Sequence, residues 1–135
     1  MKHFTVEELT RSYTAAHNGI SNIPNRQSLD NLTALVENTL DPVRELAGAP
    51  IYVNSGYRSV MLNRAVGGVP RSQHTKGEAA DITTGDREAN VRLAVMIAGS
   101  DIPYDQLIVE KCGEWLHISF TSARPNRRQT IYSGK

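Results

Sequence analysis

Two histidines and an aspartate are the residues of this sequence whose types and spacing suggest chemistry. His74 lies in a polar loop, Asp81 follows on a predicted strand, and Gly77 between them allows a tight reversal of the chain. Zinc accepts nitrogen and carboxylate ligands when thiolates are absent, and a catalytic zinc keeps three protein ligands and a water. From spacing alone, an exposed histidine and a hydrogen-bonded aspartate are the simpler interpretation.

His117 shifts the balance toward a zinc site because it interrupts an otherwise apolar strand. Leu116 and Ile118 flank it, and an ionisable side chain is unfavourable there without a partner. A histidine bonded to a backbone carbonyl would explain His117 alone. Two polar side chains on adjacent strands are better explained together, so we predict that His74, Asp81 and His117 hold one zinc ion.

Helices that could support this site are predicted first in the N-terminal part of the chain. Thr5 begins a capping-box pattern for a helix that ends near His17. Apolar residues over 29–46 recur at steps of three and four, which indicates a longer amphipathic helix. Pro42 either kinks that helix or opens a second segment capped by Asp41.

Two further helices are predicted after this region. Ser59 can cap a short helix that ends at Ala65. Residues 86–98 form the other, with Gly99 at its end. Its predicted buried stripe is Val91, Ala94, Val95 and Ala98.

The strands are predicted mainly in the second half of the chain. Residues 106–110 and 115–120 are the clearest, and their short connection favours an antiparallel hairpin. Residues 51–54 and 79–84 are two more, and 129–133 can add an edge strand. Helices first and strands later predict an α+β fold, a small antiparallel sheet flanked by helices.

The composition limits the classes of protein. A chain of 135 residues, 39% hydrophobic and 21% charged, fits a single domain over residues 1–135. A net charge of +1 gives no indication of a nucleic-acid partner. The single cysteine, Cys112, excludes an intrachain disulfide. The acidic N-terminal residues and the lack of a long apolar run predict synthesis in the cytoplasm without a signal peptide and no membrane insertion. We expect a monomer.

The C-terminal residues 123–135 are locally basic. Arg124, Arg127, Arg128 and Lys135 provide the charge. Short runs of like charge are usually exposed, so a solvated tail is predicted. The alternative is a segment that helps the protein bind an anionic polymer.

Three motifs of the sequence carry a resemblance to a known family. They are Ser55-Gly56-Tyr57-Arg58-Ser59, then Ser72-Gln73-His74 with Gly77-Glu78-Ala79-Ala80-Asp81, and finally Glu114-Trp115-Leu116-His117-Ile118-Ser119. They resemble the motifs of the zinc D,D-carboxypeptidases and L-alanyl-D-glutamate endopeptidases that cut bacterial cell-wall peptides. In this order they are specific together, and the resemblance extends from about Phe4 to Phe120. It implies a hedgehog-like DD-peptidase fold and zinc as the cofactor.

The resemblance also implies roles for individual residues. His74, Asp81 and His117 would bind zinc, and Glu114 would be the general base that accepts a proton from water. Arg58 would face the substrate and stabilise the developing oxyanion or a substrate carboxylate. Residue type alone favours a simpler alternative for Glu114, an exposed acid in a turn, and for Arg58, a surface arginine paired with an acid.

Three further residues complete the predicted site. Ser72 and Tyr57 would support a ligand or contact the substrate, and Gln106 would line the cleft. Glu114 and His117 are three residues apart, so in a regular strand they would point to opposite faces. Glu114 must therefore belong to the hairpin turn or to a bulge.

The predicted function is a zinc metallopeptidase that cuts peptidoglycan stem peptides at a D-amino acid. We expect a phage or prophage endolysin-type enzyme, or a virion component, that reaches the cell wall after holin-type release or injection. The alternative is a non-catalytic, metal-containing structural or wall-binding module of a phage particle. The motifs leave open which bond is cut and whether the enzyme is a carboxypeptidase or an endopeptidase.

Overall fold

One sheet flanked by helices forms the predicted α+β fold, which the computed structural model describes for residues 1–134. The strands are β1 (Tyr52–Ser55), β2 (Ala79–Thr83), β3 (Gln106–Glu110), β4 (Trp115–Ser119) and β5 (Gln129–Tyr132). The helices are α1 (Val6–Thr10), α2 (Tyr13–His17), α3 (Arg26–Leu35), α4 (Asp41–Ala47), α5 (Val60–Ala65) and α6 (Arg87–Ala98). Within this part of the chain no helix is long and apolar enough to cross a bilayer.

The sheet has the strand order β1-β2-β4-β3-β5. Its first four strands pair antiparallel, and β3 and β4 form the predicted hairpin. The fifth strand pairs parallel to β3, so the prediction of a purely antiparallel sheet is wrong at this edge. Asp81 on β2 lies directly opposite His117 on β4, which places two of the predicted ligands side by side.

The helical region over residues 26–47 packs its apolar face on this sheet. Its fully buried residues include Leu32, Leu35, Leu40 and Val43, which share one core with Ile82, Leu116 and Ile118 of the sheet. A π-helical turn, Val36–Leu40, joins α3 to α4. Pro42 lies in the first turn of α4, and the wider turn before it accommodates its missing N–H and bulky ring.

The predicted cap at Asp41 is wrong. The residue before α4 is Leu40, which is helical and caps nothing with its side chain. The buried carboxylate of Asp41 instead accepts hydrogen bonds from the backbone N–H groups of Lys2 (2.7 Å) and His3 (2.9 Å). Asp41 therefore fixes the start of the chain against α4.

The predicted N-terminal helix is two helices. Thr5 and Glu8 form the expected capping box of α1, but the chain leaves helical geometry at Arg11, and Ser12 caps α2. The break leaves the Leu9 carbonyl free of a helical partner, and it accepts a hydrogen bond from the Tyr57 N–H at 2.7 Å. A contact with a distant segment thus divides the helix.

Helix α6 begins after Asp86, which caps it, but its buried face differs from the predicted one. The buried residues are Asn90, Leu93, Ala94 and Ile97, whereas Val95 is 69% exposed and Ala98 is also exposed. The buried face of α6 is rotated relative to the predicted one because the Asn90 side chain points into the protein. Its side-chain amide donates to the Gly113 carbonyl (2.9 Å) and accepts from the Thr84 N–H (2.8 Å).

Residues 123–134 are mostly exposed, but specific contacts hold this basic segment against the rest of the domain. Arg124 and Arg127 each bind the carboxylate of Asp105, whose side chain is fully buried, with closest distances of 2.8 Å. Arg128 donates to the Ser100 carbonyl at 2.6 Å, and its guanidinium lies over the Tyr104 ring. β5 then joins the sheet. Lys135, the last residue of the predicted basic segment, lies outside the described residues.

We predict that Asp105→Asn destabilises the protein. Burial raises the pKa of Asp105, but hydrogen bonds from Arg124 and Arg127 outweigh it and hold that pKa well below its ordinary range. A depressed pKa means that the stabilisation is present above about pH 4 and is lost as pH falls through the folded-state pKa. Urea denaturation at pH 7 should show a loss of about 1–3 kcal/mol that shrinks below pH 4. The exposed Asp101→Asn is the control, and equal stability of Asp105→Asn and wild type at pH 7 would contradict the prediction.

Candidate active site

Three predicted ligands meet on one face of the β2–β4 pair, near the middle of both strands. His74 comes from a single 3₁₀ turn, Gln73–Lys76, that precedes β2. Asp81 Oδ1 lies 3.3 Å from His74 Nε2 and 3.1 Å from His117 Nδ1. One ligand atom from each residue lies within 4.8 Å of the other two. The rings of the two histidines meet edge to face, with centroids 5.1 Å apart.

This arrangement fits a zinc ion. Zinc–nitrogen and zinc–oxygen bonds of about 2.0–2.2 Å in tetrahedral geometry place neighbouring ligand atoms about 3.3 Å apart. The two distances from Asp81 Oδ1 match that separation. Two imidazole nitrogens and one carboxylate oxygen are also the ligand types that zinc accepts. Asp81 and His117 are 13% and 14% exposed, so the site is open to water.

The orientation of His74 is fixed from behind. Its Nδ1 lies 2.7 Å from the Gly56 carbonyl oxygen, and because a carbonyl only accepts, Nδ1 carries the proton. The neutral ring then has its lone pair on Nε2, the atom facing Asp81. Gly56 is required because a Cβ there would clash with the Leu9 carbonyl. The hydroxyl of Ser72 accepts from the His74 backbone N–H at 3.2 Å, so Ser72 helps to fix the backbone of this predicted ligand.

Arg58 holds the other oxygen of Asp81. Its Nη2 donates to Asp81 Oδ2 at 3.3 Å, its Nη1 to Asn63 at 3.1 Å and its Nε to Ser55 at 3.0 Å. From residue type alone, Arg58 was expected to pair with an acid at the surface. It does pair with an acid, but that acid is Asp81, one of the three predicted ligands. A Cβ at Gly68 would clash with Asn63 and press on Arg58, so this glycine keeps the pair in place.

The electrostatics keep Asp81 ionised. Burial raises its pKa, but when the two imidazoles are protonated, their hydrogen bonds and charge lower it more, and the pKa lies well below its ordinary range. Burial lowers the pKa of Arg58, and the charge of Asp81 partly offsets this. A metal needs a deprotonated carboxylate, which Asp81 provides at neutral pH.

Glu114 lies in the hairpin connection, as its distance from His117 required. A 3₁₀ turn, Lys111–Gly113, precedes it, and Glu114 itself has helical φ and ψ angles of −58° and −37°. Strand alternation therefore does not apply to it. The side chain is exposed, and its carboxylate has no hydrogen-bond or ion-pair partner among residues 1–134. Its role as the base stays a prediction.

The other two predicted residues are less closely tied to the site. Tyr57 is buried in the core, and its ring lines a cleft together with Arg58. Gln106 shares the sheet face of His117 through the β3–β4 register, but its amide donates to Gln129 at 2.8 Å, toward the far edge of the sheet. The structure does not bring Gln106 to the three ligands.

The sequence analysis missed the residues that position Arg58 and His74. Asn63 is a buried residue of helix α5, and its side-chain oxygen accepts from Arg58. Its side-chain nitrogen donates to the Val69 carbonyl at 2.7 Å. A buried amide on a short helix gives no sequence signal beyond its residue type. Ser55 and Gly56 belong to the motif Ser55-Gly56-Tyr57-Arg58-Ser59. The glycine two residues before Arg58 was the sequence feature that could have indicated them.

A three-ligand site of two histidines and one carboxylate, open to water, defines a candidate metal-dependent hydrolase. The comparison with protein families agrees, since the family model described as Peptidase M15 matches residues 2–119. The chain therefore belongs to the M15 peptidase family, which confirms the resemblance. M15 metallopeptidases are typically zinc-dependent, and membership supports a zinc peptidase that acts on peptidoglycan. No curated protein matched the chain.

Proposed function

We propose that this protein hydrolyses a peptide bond at a D-amino acid in peptidoglycan stem peptides, with His74, Asp81 and His117 as its zinc ligands. The observation that supports this most directly is the convergence of the three ligand atoms around Asp81 Oδ1, with ligand separations suited to zinc. Family membership supports the reaction class. When bound, zinc supplies a Lewis acid that polarises the scissile carbonyl and acidifies water.

The Glu114 carboxylate has no hydrogen-bond or ion-pair partner among residues 1–134, which suits it to proton transfer. In the proposed reaction it accepts the proton of the attacking water and returns it to the nitrogen of the leaving amine. A carboxylate already bound to an arginine or lysine would be a weaker base, because the cation stabilises its ionised form. The absence of such a partner within residues 1–134 therefore favours Glu114.

Arg58 can do two tasks at once. A guanidinium has five N–H groups, and the contacts with Ser55, Asn63 and Asp81 use three of them. The remaining two have no partner among residues 1–134, and Arg58 lines an open cleft. We propose that they donate to the developing oxyanion or to a substrate carboxylate while the third contact keeps Asp81 in place.

The test is to incubate the zinc-loaded protein with purified peptidoglycan and measure new amino termini. We expect termini to appear, to disappear with a chelator and to return when zinc is restored. If zinc binds stoichiometrically and no termini form, the non-catalytic wall-binding module replaces the enzyme. Mass spectrometry of defined muropeptides identifies the bond, and so decides between a carboxypeptidase and an endopeptidase.

We further propose that the enzyme serves a phage or prophage, as an endolysin or a virion component that reaches the wall after holin-type release or injection. This proposal rests on the sequence expectation. We also propose that the protein acts as a monomer, since one chain supplies all three proposed ligands.

A further inference from the structure

A groove lies beside the three proposed metal ligands, not over them. It encloses about 860 Å³ between the start of α3, the turn Gln73–Lys76 and the segment after β4. None of the three ligands lines it, but Gln73 and Thr75, the neighbours of His74, do. Consecutive Cα atoms are about 3.8 Å apart, so one polymer can reach both the groove and the metal centre.

The groove is positively charged. Its lining contains Arg71, Lys76, Arg124 and Arg127. Two carboxylates oppose these four positive charges, Glu78 in the lining and Asp105 behind it, which leaves a net charge of +2.

Two of the four cations are free to bind a ligand. Arg124 and Arg127 share the Asp105 carboxylate, whereas Arg71 and Lys76 are exposed and have no ion-pair partner within residues 1–134. An unpaired guanidinium and an unpaired ammonium at the rim of one groove attract an anion, and the guanidinium can bind a carboxylate with two hydrogen bonds.

The rest of the lining is polar and partly unsatisfied. Asn25, Ser28 and Asn31 from the start of α3 face Thr121 and Ser122 across the groove. The Gln73 side-chain nitrogen is buried and has no hydrogen-bond partner among residues 1–134. A buried donor without a partner is unfavourable, so a ligand that supplies an acceptor is favoured. Charged and polar side chains in the lining suit a peptide with carboxylate groups better than a wholly apolar ligand.

We infer that this groove binds a carboxylate of the peptidoglycan stem peptide at a position away from the bond that is cut. Arg71 and Lys76 make the ionic contacts, and the polar lining accommodates the peptide backbone. The inference rests on the proposed function, because it names part of the same substrate. It gives the enzyme a second contact that selects stem peptides with free carboxylates over amidated ones.

Binding to insoluble peptidoglycan tests this without requiring hydrolysis. The probe is peptidoglycan freed of phosphate-containing polymers, used directly and after chemical amidation of its carboxylates. Zinc-loaded wild type, Arg71→Ala/Lys76→Ala and the charge-matched control Lys2→Ala/Arg92→Ala are pelleted with each preparation. We expect the groove variant to bind unmodified peptidoglycan about tenfold more weakly and the control to bind like wild type. On the amidated preparation all three should bind equally.

The outcomes separate this inference from the proposed function. Equal binding of the groove variant and wild type to unmodified peptidoglycan would overturn the inference, as would an equal loss on amidated peptidoglycan. Either result leaves hydrolysis, measured as new amino termini, standing on its own. Carboxylate-dependent binding without hydrolysis would instead overturn the enzyme and keep the groove.

Discussion

Glu114→Gln is expected to retain zinc and to lower peptidoglycan hydrolysis by at least about 10²-fold. Glutamine keeps the size and polarity of the side chain but cannot accept a proton at neutral pH. Because the Glu114 carboxylate has no hydrogen-bond or ion-pair partner among residues 1–134, the substitution breaks no side-chain hydrogen bond and the fold should be unchanged. The measurements are release of amino termini and zinc content by elemental analysis.

Glu110→Gln is the matched control for Glu114→Gln. Glu110 ends β3, opposite Trp115 at the base of the same hairpin, and it is not assigned a part in catalysis. Its activity should stay within about twofold of wild type, the range usual for a surface substitution. Hydrolysis at the wild-type rate by Glu114→Gln would show that another group is the base.

His117→Ala is expected to lose both zinc and hydrolysis. It removes one of the three proposed ligands and leaves only Asp81 and His74 to hold the metal. Two protein ligands are fewer than a stable catalytic zinc site uses, so stoichiometric zinc should fall away on dialysis and activity should drop to background. Zinc content and hydrolysis are measured on the same preparation, with circular dichroism to show that the sheet persists.

His17→Ala provides the comparison for the histidine substitution. His17 ends α2, is exposed and is not among the residues that meet at Asp81. It should bind zinc and hydrolyse peptidoglycan like wild type. A folded His117→Ala protein that keeps one zinc per chain would remove His117 from the ligand set.

The strands could be predicted because their signals are local. Alternating apolar residues and a short connection identify the β3–β4 hairpin, and the β2 register follows from the same alternation. The helix boundaries failed where a distant contact decides them. The break between α1 and α2 coincides with a hydrogen bond from Tyr57 to Leu9, and the face of α6 is set by Asn90. A pattern of apolar residues contains neither contact.

The candidate site was likewise predictable from the sequence only in part. His74, Asp81 and His117 could be proposed because zinc ligands are few in type and because a histidine inside an apolar strand is unusual. The carbonyl of Gly56 behind His74 and the placement of Arg71 and Lys76 on one groove could not be proposed, because backbone direction and tertiary packing create them. The ion pairs of the half-exposed Arg124 and Arg127 with the buried Asp105 likewise could not be predicted, because the sequence shows only a run of basic residues.

The place of β4 in the sheet has a consequence for how the metal is acquired. β4 is central, between β2 and β3, yet it comes late in the chain and brings the third ligand. During synthesis on a ribosome, His74 and Asp81 emerge before His117 exists, so a partly made chain offers only two ligands. With the proposed ligand set, zinc would be captured only after β2 and β4 have paired, and from then on it would add to the stability of the folded state by mass action. A bound metal would therefore report that the central strands have paired, before β5 needs to join the sheet.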